Sequence, residues 1–118
     1  MMDSLQIRIE SDEVGDVMYL GGRLDIESSP RLRDQLLAIL RGQSPPATIA
    51  IDLEAVDYMD ASGIATLVEA LKIARIGAIA MHLRGLRGRL LHLFQSTGIG
   101  SLFDISGSRN NPSAAKVF

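Results

Sequence analysis

Apolar Leu5, Ile7 and Ile9 alternate with polar Gln6, Arg8 and Glu10, the period-two pattern of a half-buried strand. Val14-Gly15-Asp16 reads as a turn and Val17-Met18-Tyr19-Leu20 as a second strand, so the opening of the chain predicts a hairpin. Gly21 and Gly22 then suggest a bend or a close approach of backbones. At Ser28-Ser29-Pro30 the period changes. A hydroxyl cap precedes a proline whose missing N–H does no harm in a first helical turn. Leu32, Leu36, Ile39 and Leu40 share one face of the helix that follows, and Gly42 closes it. Ser44-Pro45-Pro46 forms a rigid connection.

The stretch around which the chain is organised comes next. Ile49-Ala50-Ile51-Asp52-Leu53 is apolar enough for a central strand covered on both faces. Residues 54–59 read as a short acidic connection, and Asp60-Ala61-Ser62-Gly63 as a small-residue turn opening a helix. That helix places Ile64, Leu67, Val68, Leu71 and Ala74 on one face. Ser62 is read as its N-cap and Gly77 as its end. Residues 78–83 form another strand of nearly continuous apolar character, and Gly85 turns the chain. Leu86, Leu90, Leu91 and Phe94 mark a third amphipathic helix closing near Thr97-Gly98. Residues 102–105 read as a short edge strand, and from Gly107 the sequence is turn-rich and loosely held. The order β-β-α-β-α-β-α-β implies a mixed sheet with parallel βαβ units and helices packed on it, an α/β fold.

With 118 residues there is material for one core and one domain, assigned to 1–118 with a core at about 5–105 and a tail at 106–118. Nearly half the residues are apolar, which excludes a disordered chain. A formal charge of −2 gives no global field favouring nucleic acid or an anionic membrane. The absence of cysteine removes disulfide and thiolate chemistry and fits a reducing compartment. Met1-Met2-Asp3-Ser4 lacks the basic and apolar regions of a secretion signal, and no apolar run is long enough to span a bilayer. A soluble cytoplasmic protein is expected.

Three chemistries compete for the strand-to-helix turn. An esterase elbow needs glycines two residues either side of its serine, but Asp60 and Ile64 flank Ser62. His82 in a strand and His92 in a helix supply no positioned base. A phosphate-receiving aspartate domain would use Asp52, Asp57 and Asp60 around magnesium. It also needs acidic residues after the first strand and a lysine after a late one. Here residues 10–13 lie in a hairpin turn, and the only lysines are Lys72 and Lys116. Asp60 is better placed for the positive end of the helix dipole. No phosphate loop, dinucleotide fingerprint or metal-ligand pattern occurs, so no cofactor or metal is expected. Arg84, Arg87 and Arg89 read as a solvated basic face. No catalytic set can be assembled, and an enzyme is not expected.

Four segments nevertheless stand in a recognisable order: Gly22-Arg23-Leu24-Asp25, Ile51-Asp52-Leu53, Tyr58-Met59-Asp60-Ala61-Ser62-Gly63-Ile64 and Phe94-Gln95-Ser96-Thr97-Gly98-Ile99. They are similar to those of a STAS domain, and the chain resembles the stand-alone bacterial anti-sigma factor antagonists over roughly residues 5 to 105. The resemblance implies a STAS-type mixed sheet and a non-enzymatic binding role in transcription regulation and stress response. The implied partner is an anti-sigma factor, in such systems a serine kinase, with no nucleic acid and no membrane insertion; a homodimer stays open. Binding would free a sigma factor, and phosphate on the serine directly after the motif aspartate would end it. Charge of about −1.5 to −2 at a packed interface opposes binding through repulsion and desolvation. The implied contact residues are Asp25, Asp60, Ala61, Ser62, Gly63 and Ile64.

The sequence departs from the pattern where it matters most. Ala61 occupies the acceptor position and has no hydroxyl; Ser62 is the neighbouring phosphorylation candidate. The alternative role within the resemblance is a cytoplasmic accessory subunit of a lipid-trafficking ABC transporter, which docks on an ATPase and needs no acceptor serine.

Overall fold

The computed structural model describes residues 4–102 and 104–106. Phe103 within the expected edge strand, and the turn-rich tail from Gly107, lie outside the described residues. Elements run β1 (Leu5–Ser11), β2 (Gly15–Leu24), α1 (Ser29–Leu40), β3 (Thr48–Met59), α2 (Ala61–Ile76), β4 (Ala80–Arg84), α3 (Gly88–Ser96), a 3-10 turn (Ile99–Leu102) and β5 (Asp104–Ser106). The element order is the one the hydrophobic periodicity implies, and the fold is α/β.

The five strands lie in sequence order, β1-β2-β3-β4-β5. The β1–β2 hairpin is antiparallel, and β2, β3, β4 and β5 are parallel neighbours. Each parallel step is a crossover through one helix. Right-handed crossovers that always advance in the same direction put every helix on the same face of the sheet. The core accordingly forms one cluster: Met18, Leu20, Ile49, Ile51, Leu53, Met81 and Leu83 from the strands meet Leu32, Leu36, Leu67, Leu71 and Phe94 from the helices.

This one-sided arrangement corrects two readings of the sequence. In β3, Ile49, Ile51 and Leu53 enter the core, whereas Asp52 and Glu54 belong to the other face, where Asp52 pairs with Arg84 at 2.9 Å. Arg84 Nη2 also donates to the Tyr19 hydroxyl at 3.1 Å, and Arg8 stacks on the Tyr19 ring at 4.1 Å. Among the described residues, helices therefore cover β3 on one face only. β4 likewise alternates, with Met81 and Leu83 buried and Ala80 exposed, instead of being apolar throughout.

Several boundaries also move. The segment read as an acidic connection, 54–59, is the second half of β3, held by β2 through Gly21↔Ala55, Gly22↔Val56, Arg23↔Tyr58 and Leu24↔Met59. The ladder slips between Tyr19 and Gly21 and again between Gly22 and Arg23. Gly22 adopts φ +89°, and a Cβ there would lie 2.1 Å from the Ser4 carbonyl oxygen. The expected close approach of backbones is thus real, and Arg23 N–H donates to that same carbonyl at 2.8 Å. The hairpin turn sits at Asp12–Val14, with Asp12 Oδ1 accepting from the N–H groups of Val14 and Gly15. Past α2, Gly77 is the C-cap as expected, but the left-handed residue is Ala78 at φ 59°.

Candidate functional site

Parallel β3 delivers its C-terminal end, and the start of α2, to one end of the sheet. β2 delivers Leu24 and the turn into α1 to the same end, because Leu24 is in register with Met59. Asp60 N–H donates to the Leu24 carbonyl at 3.1 Å and continues the ladder by one residue. The Asp60 side chain then turns back into the helix it precedes.

Asp60, not Ser62, is the N-cap of α2. Its backbone is extended, φ −109° and ψ −173°, and its Oδ1 accepts from Ser62 N–H at 3.0 Å and Gly63 N–H at 3.3 Å. Ser62 is the second helical residue. Its hydroxyl donates to Asp60 Oδ1 at 2.6 Å, and its Oγ lies 3.3 Å from Ser29 Oγ. A carboxylate at the cap position accepts from two orphan donors and carries a charge suited to the dipole, so it takes the place that a neutral hydroxyl would hold. Hydrogen bonding from the Ser62 hydroxyl, opposed by burial and helped by the Gly63, Ser62 and Ile26 N–H groups, holds Asp60 below the ordinary carboxylate range.

The second carboxylate, Asp25, organises the turn into α1. Its Oδ1 accepts from Glu27 N–H and Ser28 N–H, both at 3.1 Å. Burial pushes Asp25 up, but those N–H groups, the Ser28 hydroxyl and Arg23 together hold it low. Ser28 occupies the cap position of α1, yet its hydroxyl makes no cap bond. It instead accepts from Asp25 N–H and donates to the Arg23 carbonyl, both at 2.9 Å. Ser29 Oγ donates to the Asp25 carbonyl at 2.6 Å. Besides the Leu24–Asp60 backbone bond and the Ser29–Ser62 hydroxyl pair, the two halves of the site are joined by the Asp60 carboxylate: Ile26 N–H donates to Asp60 Oδ2 at 3.2 Å.

The six residues singled out from the sequence thus come together, in different roles. Ala61 is exposed at the first position of α2, and Ser62 and Ile64 are half-buried. Gly63 is buried and offers no surface: a Cβ there would lie 2.7 Å from Leu24 Cγ and 2.9 Å from Met59 Cγ. Its small size lets α2 start against the end of β2. Of the three clustered aspartates, Asp52 pairs with Arg84, Asp60 caps α2 and Asp57 is exposed on β3, so they do not converge on one contact. Arg84 and Arg87 are likewise engaged, Arg87 with the Glu54 carbonyl at 3.1 Å, which divides the basic face read from the sequence.

Sequence reasoning missed Ile26, the Ser28–Ser29 network, and Arg23 stacked at 4.0 Å over Tyr58. The spacing Asp25-x-x-Ser28 carried a signal, since Asp side chains bond N–H groups two and three residues on. The stack carried none, because only the β2–β3 register brings Arg23 beside Tyr58.

The sequence and the fold have counterparts among known proteins. A family model described as "Mlab, STAS domain" matches residues 7–104. The anti-sigma-B factor antagonist of Bacillus subtilis (strain 168) is 28% identical over 103 residues, spanning 87% of this chain and 92% of the relative. The anti-sigma-B factor antagonist of Staphylococcus aureus (strain NCTC 8325 / PS 47) is 31% identical over 87 residues, 74% of this chain and 79% of the relative. Among solved structures, an anti-sigma factor antagonist from Mycobacterium paratuberculosis superposes with a TM-score of 0.77 at 20% identity, covering 96% of this chain and 92% of that one, a likeness of fold. On the match across residues 7–104 and the sheet and helix order that accompanies it, the chain belongs to the STAS domain family.

Proposed function

We propose that this protein is a non-enzymatic anti-sigma factor antagonist, which binds a cytoplasmic anti-sigma factor and so frees a sigma factor. The observation that carries the reading is the end of the sheet just described. An exposed Ala61 heads a carboxylate-capped helix, beside a turn tied to the same carboxylate. The relatives named anti-sigma-B factor antagonists supply the class of partner. The contact residues are Asp25, Asp60, Ala61 and Ile64 at the surface, with Ser62 and Gly63 setting how α2 meets β2.

Phosphate control is absent or weak in this reading. Ala61 has no acceptor oxygen, and the Ser62 hydroxyl already donates to Asp60 at 2.6 Å. Phosphate on Ser62 would remove that donor and set a dianion beside a carboxylate, so the site resists it. The protein then binds its partner constitutively, unless another signal intervenes.

The test uses the anti-sigma factors encoded in the source genome, purified singly and titrated with this protein by calorimetry. Ala61→Glu adds a charge and bulk to an exposed position and is expected to weaken binding at least tenfold with an unchanged melting curve. Equal affinity of Ala61→Glu and wild type would show the surface to be misplaced. One observation favours a second reading, the transporter accessory subunit docked on an ATPase: a surface with alanine at position 61 suits a partner that transfers no phosphate. Incubation with a partner kinase and ATP separates the two, because Ala61→Ser should then gain phosphate by mass spectrometry while the native protein does not.

A further inference from the structure

Ile26 is 73% exposed, yet its backbone is tied into the site. Its own N–H is taken by Asp60 Oδ2, and the turn around it is closed by Asp25 Oδ1 on Glu27 and Ser28 and by the Ser28 hydroxyl on Asp25 and Arg23. Such a turn needs only polar or small side chains at its tip. A large apolar side chain there adds nothing to the fold.

Its position is selective. Among the described residues, the other strongly exposed apolar side chains, Val14 and Ile76, lie at the opposite end of the sheet. Val14 precedes Gly15, which is in register with Thr48 at the start of β3, and Ile76 is the last residue of α2. At the Asp60 end, Ile26 is accompanied by Tyr58, 40% exposed under the Arg23 guanidinium, and by the small Ala61. The same end of the sheet thus carries an exposed apolar side chain, a cation–aromatic stack and a small residue at the head of α2. A β-branched apolar side chain on a backbone that is held before binding has little freedom left to lose on docking, which suits an anchor.

We infer that Ile26 is the apolar anchor of the partner surface, entering an apolar pocket on the anti-sigma factor while Ala61 lets the two backbones approach. This rests on the antagonist reading and names the residue that supplies affinity within it. Asp60 is the positioning residue, because its Oδ2 ties the Ile26 backbone to the start of α2.

The experiment compares wild type, Ile26→Ser and Ile76→Ser in calorimetric titrations against each purified anti-sigma factor of the source genome. All three proteins should show the same thermal melt, since both side chains are solvent-exposed. Ile26→Ser is expected to weaken binding by about thirtyfold or more, the loss typical of a central apolar anchor, and Ile76→Ser to change it less than threefold. Unchanged affinity of Ile26→Ser, with wild type still binding, overturns the anchor and leaves the antagonist reading standing. Equal weakening by both variants overturns it too. Failure of wild type to bind any of the anti-sigma factors overturns the reading and the anchor together. Sedimentation of the same variants supplies the other arm: a wild-type dimer that Ile26→Ser converts to monomer would assign this side chain to a second copy and refute the proposal.

Discussion

Gly63→Ala places a single methyl where strand, helix and partner surface meet. The added Cβ would stand 2.7 Å from Leu24 Cγ, 2.9 Å from Met59 Cγ and 3.0 Å from the Leu24 carbonyl oxygen. Leu24 is fully buried and Met59 nearly so, which leaves neither side chain free space to retreat into. The carbonyl is fixed as well, since it accepts from Asp60 N–H. Two effects oppose. Alanine is better than glycine in a helix by about 1 kcal/mol. Overpacking a tight core costs about 1–3 kcal/mol, and three contacts at or below 3.0 Å, one of them with backbone, put this site at the upper end. The net expectation is a loss of about 2 kcal/mol. In a domain of this size that lowers Tm by about 8 °C. Thermal melts and urea titrations of the purified variant measure it, and the urea slope should stay constant because the surface exposed on unfolding is unchanged. A variant with Tm equal to or above wild type would show that the helix start can slide away from β2, and the close-packing argument would fail.

Other consequences follow from the same geometry. Phe94→Ala, which removes the fully buried aromatic of α3, should cost about 3–5 kcal/mol by chemical denaturation, and a loss below 1 kcal/mol would mean that α3 repacks. Acid should expose the roles of Asp60 and Asp25. Both carboxylates sit below their ordinary value of 3.8 in the folded protein, so they stabilise it above that value and lose the contribution as pH falls through the lower folded values. Asp60→Asn should therefore make the acid limb of a plot of Tm against pH shallower, and an unaltered limb would refute the role assigned to its hydrogen bonds.

How much of this was legible in the sequence depends on how far each interaction reaches along the chain. Periodicities of two and 3.6 set the element order and the fold class, because burial of one face repeats every few residues. The segment Asp60-Ala61-Ser62-Gly63 marked the site because small residues after a strand are a local signal. The cap was harder. Asp60 and Ser62 are both good caps, and the choice between them depended on Leu24, thirty-odd residues upstream, whose carbonyl takes Asp60 N–H and holds Asp60 extended. The second half of β3 was hidden for a similar reason. Glu54, Asp57 and Tyr58 look like loop because they are exposed, and only pairing with β2 makes them strand. The apolar run at 49–53 suggested two covered faces; the successive crossovers put the described helices on one side, and Asp52 finds Arg84 on the other. Ile26 is the last case. An isoleucine in a polar turn says nothing by itself, and it gains meaning only when a carboxylate 34 residues away holds it beside Ala61. Local chemistry wrote the elements into the sequence, whereas the register between distant strands decided what stands at the end of the sheet.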